Sequence, residues 1–197
     1  MDASWLAAAV IGVVVVVVLW AFSRYNMLVQ SRKRVDEAWS GIDVQLRRRA
    51  SVIPNLVETV KGYAEHERGV FEEVARARGA LQRAGNAGQA ANANDLLSQA
   101  LSRVFAVVES YPQLRASENF MSLRGDLSDV EEKIAFARQF YNRNVLDYNT
   151  RLETYPDTIL ARQFNFLPAE FFAADEAARA EIKVSFSRPT ASEPTNA

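Results

Sequence analysis

The chain has 197 residues, a formal net charge of −1 and ordinary apolar content, so it is long enough for one hydrophobic core and one domain. It contains no cysteine and one histidine, which excludes disulfide scaffolds, thiolate metal sites and most imidazole chemistry. Eight glycines and six prolines argue against a turn-rich β-protein, so the composition favours helices and leaves little room for an enzyme.

The first predicted element is a retained transmembrane helix over residues 5–22, preceded by a short external N-terminus at residues 1–4. The segment has no charged side chain, and its eighteen residues would span about 27 Å as a helix, close to the thickness of a hydrocarbon core. Trp5, Trp20 and Phe22 mark its ends, where aromatic rings favour the membrane interface. A cleaved signal peptide is disfavoured because Asp2, and no cation, precedes the segment.

Charge predicts the orientation of this helix. Residues 24–49 carry seven basic and three acidic side chains, whereas Asp2 is the only charge before the span. Cationic flanks resist translocation, so the N-terminus is expected outside and residues 23–186 in the cytoplasm. The region after residue 50 is net acidic, which argues against nucleic-acid binding.

The cytoplasmic region is predicted to form an all-α, elongated antiparallel bundle of three to four long helices. Apolar residues at steps of three, four and seven predict an interrupted helix from the membrane to about Ala84, kinked or restarted at Pro54. If nearly continuous, its cytoplasmic part would project roughly 90 Å and hold the domain off the bilayer on a stalk.

Further elements follow along the chain. Residues 85–94 lack apolar periodicity and predict a loop, after which Asp95 would cap a helix that ends at Tyr111. Apolar residues recur at steps of three and four from Ser117 to Tyr155 and predict a long helix that ends before Pro156. A short helix and an aromatic segment are expected after it. The polar residues 187–197 predict a disordered tail.

Several sequence blocks resemble one known family. They are YNMLV at 25–29, VDEAWSGIDVQL at 35–46 with Arg48-Arg49, IPNLVETVKGY at 53–63, His66-Glu67, Ala77-Arg78, ESYP at 109–112, Ala137-Arg138, Tyr141-Asn142 and Tyr148-Asn149. In order and spacing they resemble the LemA family. The resemblance implies a bacterial membrane protein with a short external N-terminus and a helical cytoplasmic domain, and it implies no established activity.

The chemical motifs predict no catalytic residue, no metal ligand and no cofactor. His66-Glu67 lacks the second histidine of a zinc helix, although a carboxylate site with Glu65, Glu67, Glu72 and Glu73 is conceivable. Tyrosines recur every seven residues, at positions 141, 148 and 155. They are expected to line the core with their hydroxyls at its rim.

Asp43, Arg47 and Arg48 are the candidate surface for a protein partner. The simpler interpretation is a local helix pair, with Arg47 four residues after Asp43 and Arg49 four residues after Gln45.

The leading functional hypothesis is a membrane-anchored, non-enzymatic interaction or scaffold protein of the bacterial inner membrane. Its expected partners are the lipid bilayer and an unidentified protein, with no small-molecule substrate. The alternatives are a homo-oligomeric membrane organiser, for which Ala8 and Gly12 offer a weak helix-pairing motif, and a cryptic carboxylate-based metal-binding or enzymatic domain.

Overall fold

The computed structural model describes residues 3–64 and 66–172. Asp2, the end of the predicted domain at Val184 and Phe186, and the predicted polar tail at 187–197 therefore lie outside the described residues.

Helices form nearly all of the described chain, and within it there is no strand, so the all-α prediction is confirmed. Four of the helices are long. The elements are α1 Ala3–Lys61, α2 Arg68–Arg83, α3 Ala87–Glu109, α4 Pro112–Arg115, α5 Glu118–Glu153 and α6 Asp157–Gln163, followed by a non-helical segment at 164–172.

The first helix passes through Pro54 without ending and stops at Lys61. The prediction of one interrupted helix to about Ala84 is wrong, because α1 ends at Lys61 and α2, which begins at Arg68, runs back along α1. Proline removes only one backbone donor, and the burial of the neighbouring Ile53 and Leu56 in the core holds the helix together across that defect.

The prediction of a loop at 85–94 is also wrong, because α3 begins at Ala87. Asp95, predicted to cap this helix, lies inside it. The cap is Asn86, whose side-chain oxygen accepts a hydrogen bond from the Gln89 backbone N–H at 2.8 Å. The first turns of α3 bury small side chains, namely Ala87, Ala90, Ala91 and Ala93. Alanine forms helices readily and packs at close range, but it produces a weak hydrophobic pattern.

The long helix predicted from Ser117 to Tyr155 is confirmed as α5. Ser117 caps it by accepting a hydrogen bond from the Phe120 N–H at 3.3 Å, and the helix ends at Glu153, shortly before Pro156. The short helix and aromatic segment expected after Pro156 are α6 and residues 164–172.

The bundle has two tiers along α1. Away from the span, α1 packs with the α2–α3 hairpin and the first half of α5; nearer the span, α1 and α5 form an antiparallel pair. Leu28, six residues after Phe22, is already fully buried. The expected bare stalk is therefore absent from the described residues, since α5 and α6 cover α1 almost from the end of the span.

Candidate functional site

The antiparallel pair of α1 and α5 presents two flanks. The strap, defined as residues 164–172, lies along one side, which we call the covered flank; the opposite side, between Gly41 and Phe136, is the open flank. Both flanks lie beside the same core, so the sequence differences between them determine what each can bind.

Two tyrosines of α5 bind the strap from the covered flank. The Tyr141 hydroxyl donates a hydrogen bond to the Glu170 carbonyl at 2.8 Å, and the Tyr148 hydroxyl donates to the Leu167 carbonyl at 3.0 Å. Burial and the neighbouring charges of Glu170 and Asp36 raise the pKa of Tyr141 above its usual value. Both rings are buried, which confirms the predicted core position of these two tyrosines, whereas the same prediction is wrong for Tyr155, which lies after the end of α5 and is 76% exposed.

The asparagine after each tyrosine binds the strap backbone in both directions. Asn142 donates to the Phe172 carbonyl at 3.0 Å and accepts from the Phe172 N–H at 2.9 Å. Asn149 does the same with Ala169, at 3.0 Å and 2.9 Å. An asparagine side chain carries an N–H and a C=O in the geometry of a peptide group, so it can pair with an extended backbone as a neighbouring strand would. This role was not predicted from the sequence, although the repeated Tyr-Asn dipeptide is a visible signal of it.

Aromatic contacts complete the covered flank. The Trp39 ring lies 5.7 Å from Tyr141 and 6.5 Å from Phe172, measured between ring centroids. A cavity of about 350 Å³ remains beside Trp39 and the strap residue Leu167. The strap thus occupies most of a groove that an extended peptide would fit.

The open flank has no such segment among the described residues. Its groove, of about 680 Å³, is lined by Glu37, Gly41 and Gln45 of α1 and by Phe136 and Phe140 of α5. The two phenylalanines are 73% and 55% exposed. A Cβ atom placed on Gly41 would meet nothing within 4 Å, so the glycine opens a notch opposite the phenylalanines. Large aromatic side chains left in water beside a notch are typical of an interaction face.

The predicted partner residues are divided between the flanks. Asp43 and Arg47 form an ion pair at 2.9 Å and line a cleft of about 360 Å³ next to Trp39. Arg48 instead lies 3.4 Å from Asp129, which borders the open groove. The structure therefore brings Asp43 and Arg47 together and places Arg48 on another side of α1.

The third arginine of this run, Arg49, is 3% exposed and connects three helices. It donates to Asn94 and, at 3.0 Å, to Ser98 of α3, and it lies 3.3 Å from Glu131 of α5. Burial lowers the pKa of its guanidinium. The expected local pairing with Gln45 is wrong, because the tertiary fold places Arg49 in the interior of the bundle.

The residues considered for a metal site do not come together in the part of the chain that the structure describes. His66 lies exposed in the turn between α1 and α2, and no three His, Cys, Asp or Glu side chains in the described part of the chain converge on one point. Glu65 lies outside the described residues.

The predicted membrane ends lie on α1 as expected, with Trp5, Trp20 and Phe22 exposed. Among the described residues, α1 is the only helix long and apolar enough to cross a membrane, and its apolar window is not buried by the rest of the chain. An unburied apolar run of this length is typical of a lipid-facing segment.

Comparisons with known proteins identify a family and several relatives by sequence. The sequence model of the LemA family matches residues 38–186. Magnetosome protein MamQ of Magnetospirillum gryphiswaldense is 25% identical over 175 residues, covering 76% of this chain and 64% of that protein. Magnetosome protein MamQ 2 of Paramagnetospirillum magneticum is 26% identical with the same coverage. Protein LemA of Metamycoplasma hominis is 22% identical, covering 82% of this chain and 74% of the relative.

The aligned region spans somewhat less than two thirds of the length of the magnetosome relatives. None of these names denotes an enzymatic activity.

Proposed function

The chain belongs to the LemA family, and from this premise we propose that it is a membrane-anchored, non-enzymatic scaffold whose cytoplasmic bundle binds a protein partner through its open flank. The span over residues 5–22 would cross the bacterial inner membrane with the N-terminus outside. The unburied apolar run at the start of α1 supports this anchoring.

The observation that carries the proposal is the pair of exposed phenylalanines at 136 and 140 beside the Gly41 notch. A water-soluble bundle gains nothing by exposing two aromatic rings four residues apart on one helix face, whereas a partner helix would bury them. The rim carries charges of both signs, from Glu37 and Glu132 to Lys133, which would select the partner's orientation.

The surface predicted from the sequence contributes to the same proposal at its edge. Arg48 and Asp129 lie beside the open groove and would form part of its rim. Asp43 and Arg47 border the separate cleft near Trp39, and we assign them a lesser role because exposed ion pairs contribute little binding energy.

Site-specific photo-crosslinking in the native bacterium tests the partner face. We expect a photo-reactive phenylalanine analogue at position 136 of the full chain to form a discrete adduct. The matched control carries the analogue at Met121, an exposed apolar position on the same helix but outside the groove. Equal adducts at both positions, or none at 136, would contradict the proposal.

The mass of the adduct separates the two candidate functions. A band at twice the mass of the chain would identify a second copy and favour the homo-oligomeric organiser. A band of any other mass that Gly41→Gln removes would favour a different protein partner, since the longer side chain fills the notch.

Orientation has its own test, which the absence of cysteines makes simple. Asp2→Cys should react with a membrane-impermeant maleimide in spheroplasts, whereas Leu96→Cys, exposed on α3, should react only after lysis. The reverse pattern would place the bundle outside the cytoplasm and reject the proposed topology.

A further inference from the structure

A small apolar cleft lies where the bundle meets the span. It is separate from the cavity of the covered flank and from the open groove, although Phe164, the first residue of the strap, lines it. Its volume is about 280 Å³. The lining consists of apolar side chains and one tyrosine, namely Val18, Ala21, Phe22, Tyr25, Leu160 and Phe164.

The depth of this cleft follows from the residues that line it. Val18, Ala21 and Phe22 form the last turn of the proposed span, so Leu160 and Phe164 lie at the level of that turn. One helical turn rises 5.4 Å, which is about the depth of the interfacial layer on one side of a bilayer. The start of α6 and the residue after its end therefore reach into the zone of lipid headgroups and upper acyl chains.

Specific contacts fix α6 at this depth. Arg24 Nε lies 3.1 Å from the buried Oδ1 of Asp157, the first residue of α6. The Tyr25 ring contacts the Phe164 ring edge-on, with centroids 4.9 Å apart. A partly buried ion pair and an aromatic contact hold α6 against α1, so its position relative to the span is set by the fold.

The outer side of this region is apolar and uncovered by the other described residues. Ile159 and Phe164 are each 56% exposed. Arg162 is exposed beside them and Arg24 is partly exposed, which supplies cations for anionic headgroups. Apolar side chains with nearby cations are the composition of an interfacial membrane contact.

We propose that α6, with Phe164, forms a second membrane contact that inserts into the interfacial layer beside the span. This inference rests on the proposed anchoring of α1 in the bilayer. The occupant of the cleft is a lipid acyl chain, because the surface is continuous with the lipid-facing surface of the span and its lining offers little to a polar ligand. The contact would seat the base of the bundle on the membrane and hold the axis of α1 at a fixed tilt.

The test uses the full chain in vesicles of phosphatidylcholine and phosphatidylglycerol, some of whose lipids carry a spin label in the headgroup, the upper acyl chain or, for the label at the middle of the span, the end of the acyl chain. Because the chain has no cysteine, one fluorescent label can be placed at Ile159→Cys. Ile159 is exposed, so the substitution leaves the buried residues of α6 in place. Val14→Cys in the span is the positive control, and Met121→Cys at the far end of α5 is the matched control.

We expect the label at 159 to be quenched about twofold more strongly than the label at 121, with an emission maximum shifted to the blue. Quenching at 14 combined with equal, weak quenching at 159 and 121 would overturn the second contact while leaving the anchoring intact. Absence of quenching at 14 would reject the anchoring itself, and the inference with it.

Discussion

The two flanks of the α1–α5 pair differ in whether the chain itself covers their side chains. On the covered flank, the hydroxyls of Tyr141 and Tyr148 and the amides of the following asparagines all bind the strap backbone. On the open flank, two phenylalanines remain largely exposed beside a glycine notch. The same pair of helices thus carries one surface that the chain completes itself and one that an external partner would complete.

This difference indicates how the tier formed by α1 and α5 alone can be stable while one of its sides stays exposed. Two helices that pack only against each other bury one apolar stripe each. The tier near the span also lacks the α2–α3 hairpin that covers α1 in the distal tier, so it needs another layer. The strap provides a third layer without a third helix, and side-chain amides satisfy its backbone groups.

The largest expected effect comes from removing a ring of the covered flank. Tyr148→Ala should lower the free energy of unfolding by about 3 kcal/mol, because it leaves a cavity and frees the Leu167 carbonyl. Thermal unfolding of the detergent-solubilised chain, followed by circular dichroism, measures the change. Tyr155→Ala, at an exposed position seven residues later, should change stability by less than about 0.5 kcal/mol. Equal losses in the two variants would show that the covered flank has no special role.

The asparagine pairs should have a smaller and more local effect. Asn149→Ala removes both hydrogen bonds to Ala169, which should cost about 1.5 kcal/mol and speed exchange of the Ala169 amide proton about tenfold. Hydrogen exchange monitored by NMR gives the rate. Asn144→Ala is the matched control, since its amide donates only to the Phe140 carbonyl of its own helix. An unchanged Ala169 rate in Asn149→Ala would mean that the strap is held by other contacts.

On the open flank a substitution should stabilise the fold while blocking binding. Gly41→Gln should raise the free energy of unfolding by up to about 1 kcal/mol, because glycine is a poor helix former and the added side chain meets no neighbour. The same change should abolish the adduct at position 136. Gly125→Gln, equally unobstructed but on α5 outside the groove, should stabilise the chain and leave the adduct intact. Loss of stability in Gly41→Gln would indicate that the groove is closed in solution.

The smallest expected effect is a dependence on alkaline pH that belongs to the covered flank alone. The pKa values of Tyr141 and Tyr148 are raised in the folded chain, chiefly by burial. Their contribution to stability is present below the unfolded pKa of about 10 and is lost as the pH rises through the folded pKa. Unfolding experiments from pH 8 to about 11 should show this decline, and Tyr141→Phe/Tyr148→Phe should flatten it. A Tyr155→Phe control that flattens the curve as much would contradict the assignment.

Much of the fold could be predicted because long periodic segments depend on local information. The seam of α5, its cap at Ser117 and its end before Pro156 are all visible in the sequence. The errors occurred where tertiary packing outweighed a local signal. Pro54 should interrupt a helix in isolation, but the buried side chains around it preserve α1. The alanines at the start of α3 form too weak a pattern to reveal a helix that packs by close approach.

The candidate sites were less accessible to sequence reasoning. Arg47, Arg48 and Arg49 are adjacent in the chain, yet they point in three directions on the helix and have three separate environments. The strap binds residues about 20 to 30 positions away, and only an arrangement in space reveals why the Tyr-Asn dipeptide recurs at a spacing of seven.

The sequence by itself determined the class of this protein: an apolar span, a basic segment after it and helical periodicity over most of the remainder. These properties depend on composition and on spacing within single helices, which the chain carries locally. Only the tertiary structure decided where α1 ends, which flank the strap covers and which remains open, and how deep α6 lies beside the span. Each of these outcomes depends on contacts between residues distant in sequence, whose energies become available only when the helices pack together.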